Sequence, residues 1–275
     1  MKFTLTSYPK ASTRPLLQRT AVAVALAALC ATASALPVFT LNPAGAALAG
    51  TAFTADNILI SDYATVRFGA GNTFTETGFL SISGAQLGGV TLVPGGLNST
   101  YGMYIKFTGT GNTGAGDPSL VGTSGTFTTL NYTLYGYNGS ATFGFDAGNN
   151  PTETAAGEVT LATGSLISGT VSTAPAGGGD FTPSAAAKLT FATVASTSFF
   201  VAPVPFYNIA LSSFTNTVSQ VTRFTDTQGS GFKISQGGGS FNFVAAPIPE
   251  PETYALMLAG LCAVGFMARR RQALK

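Results

Sequence analysis

The sequence predicts an all-β fold, an antiparallel sandwich with a jelly roll as one arrangement, set between two apolar end segments. Three observations carry this. In the stretch from Tyr101 to Phe107, residues Tyr101, Met103, Ile105 and Phe107 share one face while Tyr104 and Lys106 take the other. That period of two is the mark of a half-buried strand. Leu130, Tyr132 and Leu134 alternate with Asn131, Thr133 and Tyr135 in the same way. Glycine-rich turns recur between such stretches, and no segment before the C-terminal tail keeps a helical period.

Taken in order, the strand candidates are Asn57–Tyr63, Thr73–Ile82, Tyr101–Phe107, Leu130–Tyr135, Ala141–Phe145, Val159–Ile167, Lys188–Val194, Asn208–Phe214, Val218–Thr225 and Ser240–Val244. Turns are expected at Gly109–Pro118, Ala147–Pro151, Ala174–Pro183 and Gln236–Gly239. Ala174–Pro183, where large apolar residues thin out, is also the one place for a soft domain boundary. No fixed-period repeat argues for a solenoid or propeller.

Both ends read as export signals. Lys2, Lys10, Arg14 and Arg19 precede the uncharged stretch Thr20–Ala31, and Ala33-Ser34-Ala35 supplies the small residues of a cleavage site. Residues 1–35 are thus expected to be a signal peptide, leaving Leu36 first. Cys30 follows Leu29, which is too large for a lipoprotein box. At the other end Pro249-Glu250-Pro251 precedes an uncharged run, Thr253–Ala268, and then Arg269-Arg270-Arg271. As a helix that run is about 24 Å long, short of the ~30 Å bilayer core. The arginines would stay cytoplasmic and hold the body outside. A short motif, a weak span and a basic stop make a processed anchor, as in GPI tails.

This tail, residues 247–275, resembles the PEP-CTERM sorting signal of Gram-negative bacteria that make extracellular polysaccharide. The resemblance implies an exosortase as partner, transient anchoring in the inner membrane, and release to the cell surface or matrix. The body between, residues 36–246, is read as one extracellular β-rich domain. Its segments Phe53–Tyr63, Phe74–Leu80 and Leu130–Gly136 resemble the flocculation-associated PEP-CTERM proteins, over roughly residues 37 to 271. That resemblance implies a non-catalytic role in aggregation and biofilm, with extracellular polysaccharide as partner. A polysaccharide-binding module is the alternative, and a carboxylate-dependent glycoside-active enzyme is a third class.

Composition narrows the chemistry. Between Leu36 and Ile248 only Arg67, Lys106, Lys188, Arg223 and Lys233 are basic, against nine acids, so the body carries −4. A nucleic-acid partner needs a clustered basic face and is not expected. The chain has no His, and both cysteines, Cys30 and Cys262, fall in the end segments. Imidazole-based nucleophiles and the usual zinc sites therefore have no ligands in the body. Carboxylate pairs remain, from Asp62, Glu76, Asp146, Glu153 and Glu158. Glu76 shares its strand face with Phe74, Leu80 and Ile82, so it must be paired or titrate high, unless Gly78 breaks the strand or Arg67 pairs with it. No catalytic residue, cofactor or metal is assigned. Calcium is the one metal the body could hold, at Asp56-Asn57 with Asp62 or at Asp146 with Asn149 and Asn150. Tyr135 and Tyr137, beside Asn131 and Thr133, are the candidate glycan contacts.

Overall fold

The computed structural model describes residues 36–114, 122–178, 180–194 and 198–244. The expected signal peptide with Ala33 and Ala35, and the sorting tail with Pro249, Glu250, Pro251, Thr253–Ala268 and Arg269–Arg271, lie outside them.

Eight strands carry the fold: β1 (Asn57–Phe68), β2 (Thr73–Leu87), β3 (Tyr101–Thr113), β4 (Ser124–Asn138), β5 (Val159–Gly177), β6 (Asp180–Thr190), β7 (Ile209–Thr215) and β8 (Gly229–Phe243). Each pairs antiparallel with the next in sequence, and β8 pairs back onto β1 from Gly231–Arg67 to Phe241–Ile58. The sheet therefore closes into an eight-stranded up-and-down barrel. This corrects the expected sandwich. The alternation was right, but it fixes which side of each strand is apolar and not how the last strand meets the first. Closure removes the unpaired sheet edges that a sandwich would leave.

Three expected turns run into strands. Gly109–Pro118 gives its residues 109–113 to β3, where Gly109 lies opposite Leu130 and Thr113 opposite Gly125. Ala174–Pro183 is the tip of the β5–β6 hairpin, with Thr173 opposite Pro183 and Ala174 opposite Thr182, so no domain boundary lies there. Gln236–Gly239 lies inside β8, where Gln236 adopts φ 60° and forms a bulge between the pairs Ser235–Tyr63 and Gly237–Asp62. The neighbouring glycines allow close approach: a Cβ on Gly237 would fall 1.9 Å from Asn216 Oδ1, and one on Gly239 2.5 Å from the Phe214 ring. Val218–Gln220, expected as strand, is a single 3-10 turn with Thr217 and Gln220 as its capping box, and the strand starts at Val221.

The apolar faces turn inward. Ile58, Ile60, Ala64, Val66, Leu80, Ile105, Phe107, Leu130, Tyr132, Leu134, Phe232 and Ile234 are all buried in one core. Threonine and asparagine take most of the exposed outer positions of β2, β3 and β4. That polarity is the reverse of a lipid-facing barrel. One end is closed by aromatic rings: Phe39, Phe191, Phe199, Phe200, Phe206, Phe241 and Phe243. A three-stranded sheet of Phe39–Leu41, Phe53–Ala55 and Phe200–Ala202 crosses this end. Residues 139–158 leave the barrel wall as a small hairpin, Phe143–Phe145 against Pro151–Glu153.

Candidate functional site

Below the aromatic plug the interior is not filled. A chamber of about 90 Å³ lies among Val66, Phe74, Leu80, Phe107, Phe127 and Leu130, and reaches Thr113, Thr123 and Thr173 near the opposite end. Eight strands enclose room for side chains or for one small ligand. Polar side chains line it too: Asp62 from β1, Glu76 from β2, Ser212 from β7 and Asn216 just after it, together with the hydroxyls of Thr113, Thr123, Tyr132, Ser172, Thr173 and Ser184.

Their placement follows from strand parity. Asp62 shares its face with Ile60, Ala64 and Val66, and Glu76 shares its face with Phe74, Leu80 and Ile82. Gly78 does not break β2. It pairs with Ala64, and its missing side chain admits Phe107, since a Cβ there would come within 2.8 Å of the Phe107 ring, the Ala64 methyl and the Tyr63 carbonyl. Nor does Arg67 reach Glu76: it is on the outer face, where its guanidinium makes a two-pronged pair with Asp226 at 2.9 and 3.1 Å. Ser212 was not singled out from sequence, although Ala210, Ser212 and Phe214 alternate with Leu211, Ser213 and Thr215. Asn216 rests on Gly237, the partner of Asp62 across the β8–β1 ladder.

The electrostatics are those of acids taken out of water. Burial pushes Glu76 up to about 7. Burial first, and then the charge of Glu76, raise Asp62 well above the usual carboxylate range. Asp62 is 3% exposed, and its Oδ1 makes no hydrogen bond, like Ser212 Oγ and Asn216 Oδ1. Asn216 uses its amide to donate to the Pro183 carbonyl at 3.3 Å. The Tyr132 hydroxyl, the other titratable group on the wall, donates to the Thr190 carbonyl at 2.8 Å. Among the described residues no lysine or arginine lines the chamber.

The other carboxylates expected as candidates sit outside the barrel, occupied locally. Asp146 caps its own turn, accepting from the backbone of Gly148 and Asn150 at 2.8 Å. The Asn150 amide and then those backbone donors hold it below its ordinary value. Glu153 accepts from the Ala155 backbone, and Glu158 accepts from the Tyr104 hydroxyl. Neither group of oxygens considered for calcium is assembled as expected. Asp62 points inward, whereas Asp56 accepts from the Gly88 backbone and Asn57 bonds Gln86. The Asn149 side chain donates to Asp226 and accepts from Lys233, while only its backbone N–H bonds Asp146, at the carbonyl.

Tyr135 and Tyr137 do leave the barrel on its outer side, but residues 139–158 cover that side. Tyr137 is 1% exposed, packed with Phe79 and Tyr104, and Tyr135 is half-buried and stacked on Tyr104 at 5.3 Å. A sugar would find no free face on Tyr137. What the outer wall does present is an array of uncharged hydrogen-bonding groups. Thr73, Asn112 and Thr126 line up across β2, β3 and β4, then Thr75, Thr110 and Thr129, then Thr77, Thr108 and Asn131. All nine are exposed. A bulge at Thr128 lets its hydroxyl and that of Thr129 both lie 2.8 Å from that of Thr110.

The fold thus defines a closed β-barrel with a hydroxyl-rich wall and an acidic chamber. Residues 247–271 match the PEP-CTERM protein-sorting motif. The chain carries that sorting signal, which implies an exported, membrane-associated substrate processed by an exosortase. Comparison with curated proteins and with solved structures gave no match.

Proposed function

We propose that this chain is a non-catalytic protein of the cell surface or extracellular matrix, contributing to bacterial aggregation and biofilm by contact with polysaccharide. The observation that carries the reading is the three-by-three array of exposed threonines and asparagines on β2, β3 and β4. Uncharged hydroxyls and amides exchange hydrogen bonds with sugar hydroxyls at little desolvation cost compared with charged groups. The sorting motif supports delivery to the outside.

The absence of catalysis belongs to the proposal. Asp62 and Glu76, the only carboxylates among the described residues that share an interior space, are both displaced toward their protonated forms, whereas a glycosidase needs one acid and one ionised partner.

Two measurements in a polysaccharide-producing host test it. Fractionation with C-terminal mass analysis is expected to find the body in the matrix, ending near Pro249–Glu252. A strain carrying the triple variant Thr75→Val, Thr110→Val, Thr129→Val is expected to settle more slowly than wild type at equal protein level. An intact tail ending at Lys275 in the inner membrane, or unchanged settling in both the triple variant and a deletion strain, overturns the matrix role.

A further inference from the structure

The chamber gathers polar oxygens, and some of them have no partner in the protein although hydroxyls of Thr113, Thr123, Tyr132 and Thr173 also line the wall. Two carboxyl groups, the Ser212 hydroxyl oxygen and the Asn216 carbonyl oxygen point into it, and three of these residues hold a buried atom without a hydrogen-bond partner. An unpaired buried acceptor costs about 1–3 kcal/mol, so such groups are retained for a reason. The cations of the described body are not on the chamber wall: Arg67 is on Asp226, Lys233 beside Asn149 and Phe145, Lys106 over Phe79, Arg223 over Phe181, and Lys188 is exposed. The complement of this site is a compact donor with a positive charge. The remaining wall, Val66, Phe74, Leu80, Phe107, Phe127 and Leu130, asks for an apolar body on that donor. A bare metal ion is less suited, because hard cations require six or more oxygens and the wall is largely hydrocarbon.

We infer that the barrel interior is a binding site for a small primary ammonium with a short alkyl body, its head on Asp62, Glu76, Ser212 and Asn216. On the scale where a 150 Å³ cavity holds benzene, 90 Å³ takes about four heavy atoms. n-Propylammonium has that size. The head donates to the orphaned oxygens and neutralises the acids, while the chain lies against Phe107 and Leu130. Because the ligand binds the ionised carboxylates, affinity rises with pH as these lose their protons. Asp62, Glu76 and Tyr132 are the titratable groups on the chamber wall, and Tyr132 keeps its proton on the Thr190 carbonyl.

The test is calorimetric titration of the full chain in mild detergent at pH 8 with n-propylammonium, 1-propanol, propionate and calcium chloride. n-Propylammonium is expected to bind, with 1-propanol and propionate weaker by at least about tenfold. Asp62→Asn is expected to weaken n-propylammonium by about 30-fold, as for loss of one partner in a buried charge pair. Ser212→Ala should weaken it by a few-fold. Asp62→Asn keeps the size of the side chain and replaces an acid that burial disfavours in its charged form, so it is expected to melt no lower than wild type, and lost binding there is not lost folding. Equal binding of 1-propanol, calcium binding in place of the amine, no binding by any probe, or indifference to Asp62→Asn would overturn the assignment.

Discussion

The two ends of the barrel interior are built on opposite rules. At the plugged end, rings from Phe39, Phe191, Phe206, Phe241 and Phe243 meet edge-on or tilted at 4.9–6.5 Å, and only a wholly apolar cavity of about 20 Å³ is left. In the chamber, acids and orphaned oxygens face hydrocarbon around open volume. One end gains stability from burial, and the other gives some of it up. A fold that needed only a core would fill the second end like the first. The contrast sets Asp62 and Glu76 apart from the rest of the core.

The comparison can be broken most severely at the plug. Phe243→Ala removes a ring that touches Phe39, Phe191, Phe206, Tyr207 and Phe241. A loss of about 3–5 kcal/mol is expected in urea unfolding. In the chamber the sign should reverse. The Glu76 carboxyl rises from 4.5 to about 7 on folding, so the native state holds the extra proton between those values. Stability from this group is then highest below about 4.5, falls as pH rises through 7 and is flat beyond. Glu76→Gln should therefore stabilise the protein at pH 8, by roughly 3 kcal/mol at ~1.36 kcal/mol per pKa unit. Equal stability of variant and wild type at pH 8 would mean the carboxylate is already solvated.

Smaller effects sharpen the boundary between the regions. Gly78→Ala drives a methyl against the Tyr63 carbonyl and Phe107 ring at 2.8 Å, with an expected cost of about 1–3 kcal/mol in thermal melts. Arg67→Ala frees Asp226, which Arg67 and then Asn149 hold down at about 2, and also releases the Gly148 carbonyl that Arg67 binds at 2.7 Å. Faster hydrogen exchange at residues 146–150 is expected, with little change in the barrel strands. Protection equal to wild type would show that the segment is held by Thr65 and Lys233 alone.

Much of this was legible before any coordinates. Alternation placed Met103, Ile105, Phe107, Leu130, Tyr132 and Leu134 inside, and the same reading set Glu76 on the face of Phe74 and Leu80. Barrel closure was not legible, because pairing of Asn57–Phe68 with Gly229–Phe243 is a long-range choice that alternation leaves open. Glycine misled at 236–239, where it serves close packing on Asn216 and Phe214 instead of a chain reversal. The tyrosine platform failed as an exposed surface because its cover, residues 139–158, comes from a hairpin with three-residue strands and little periodicity. Ser212 and Asn216 join the acids only through β7–β8 pairing, which no local pattern announces.

The most direct measurement is a carbon-13 NMR titration of the Asp and Glu side-chain carboxyls in the folded protein. Glu76 is expected to titrate near 7 and Asp62 well above its ordinary range, while the outer Asp226 titrates near 2. If Glu76 and Asp62 both titrate near 4 like exposed carboxylates, the acids face water and the interior chamber described here does not exist.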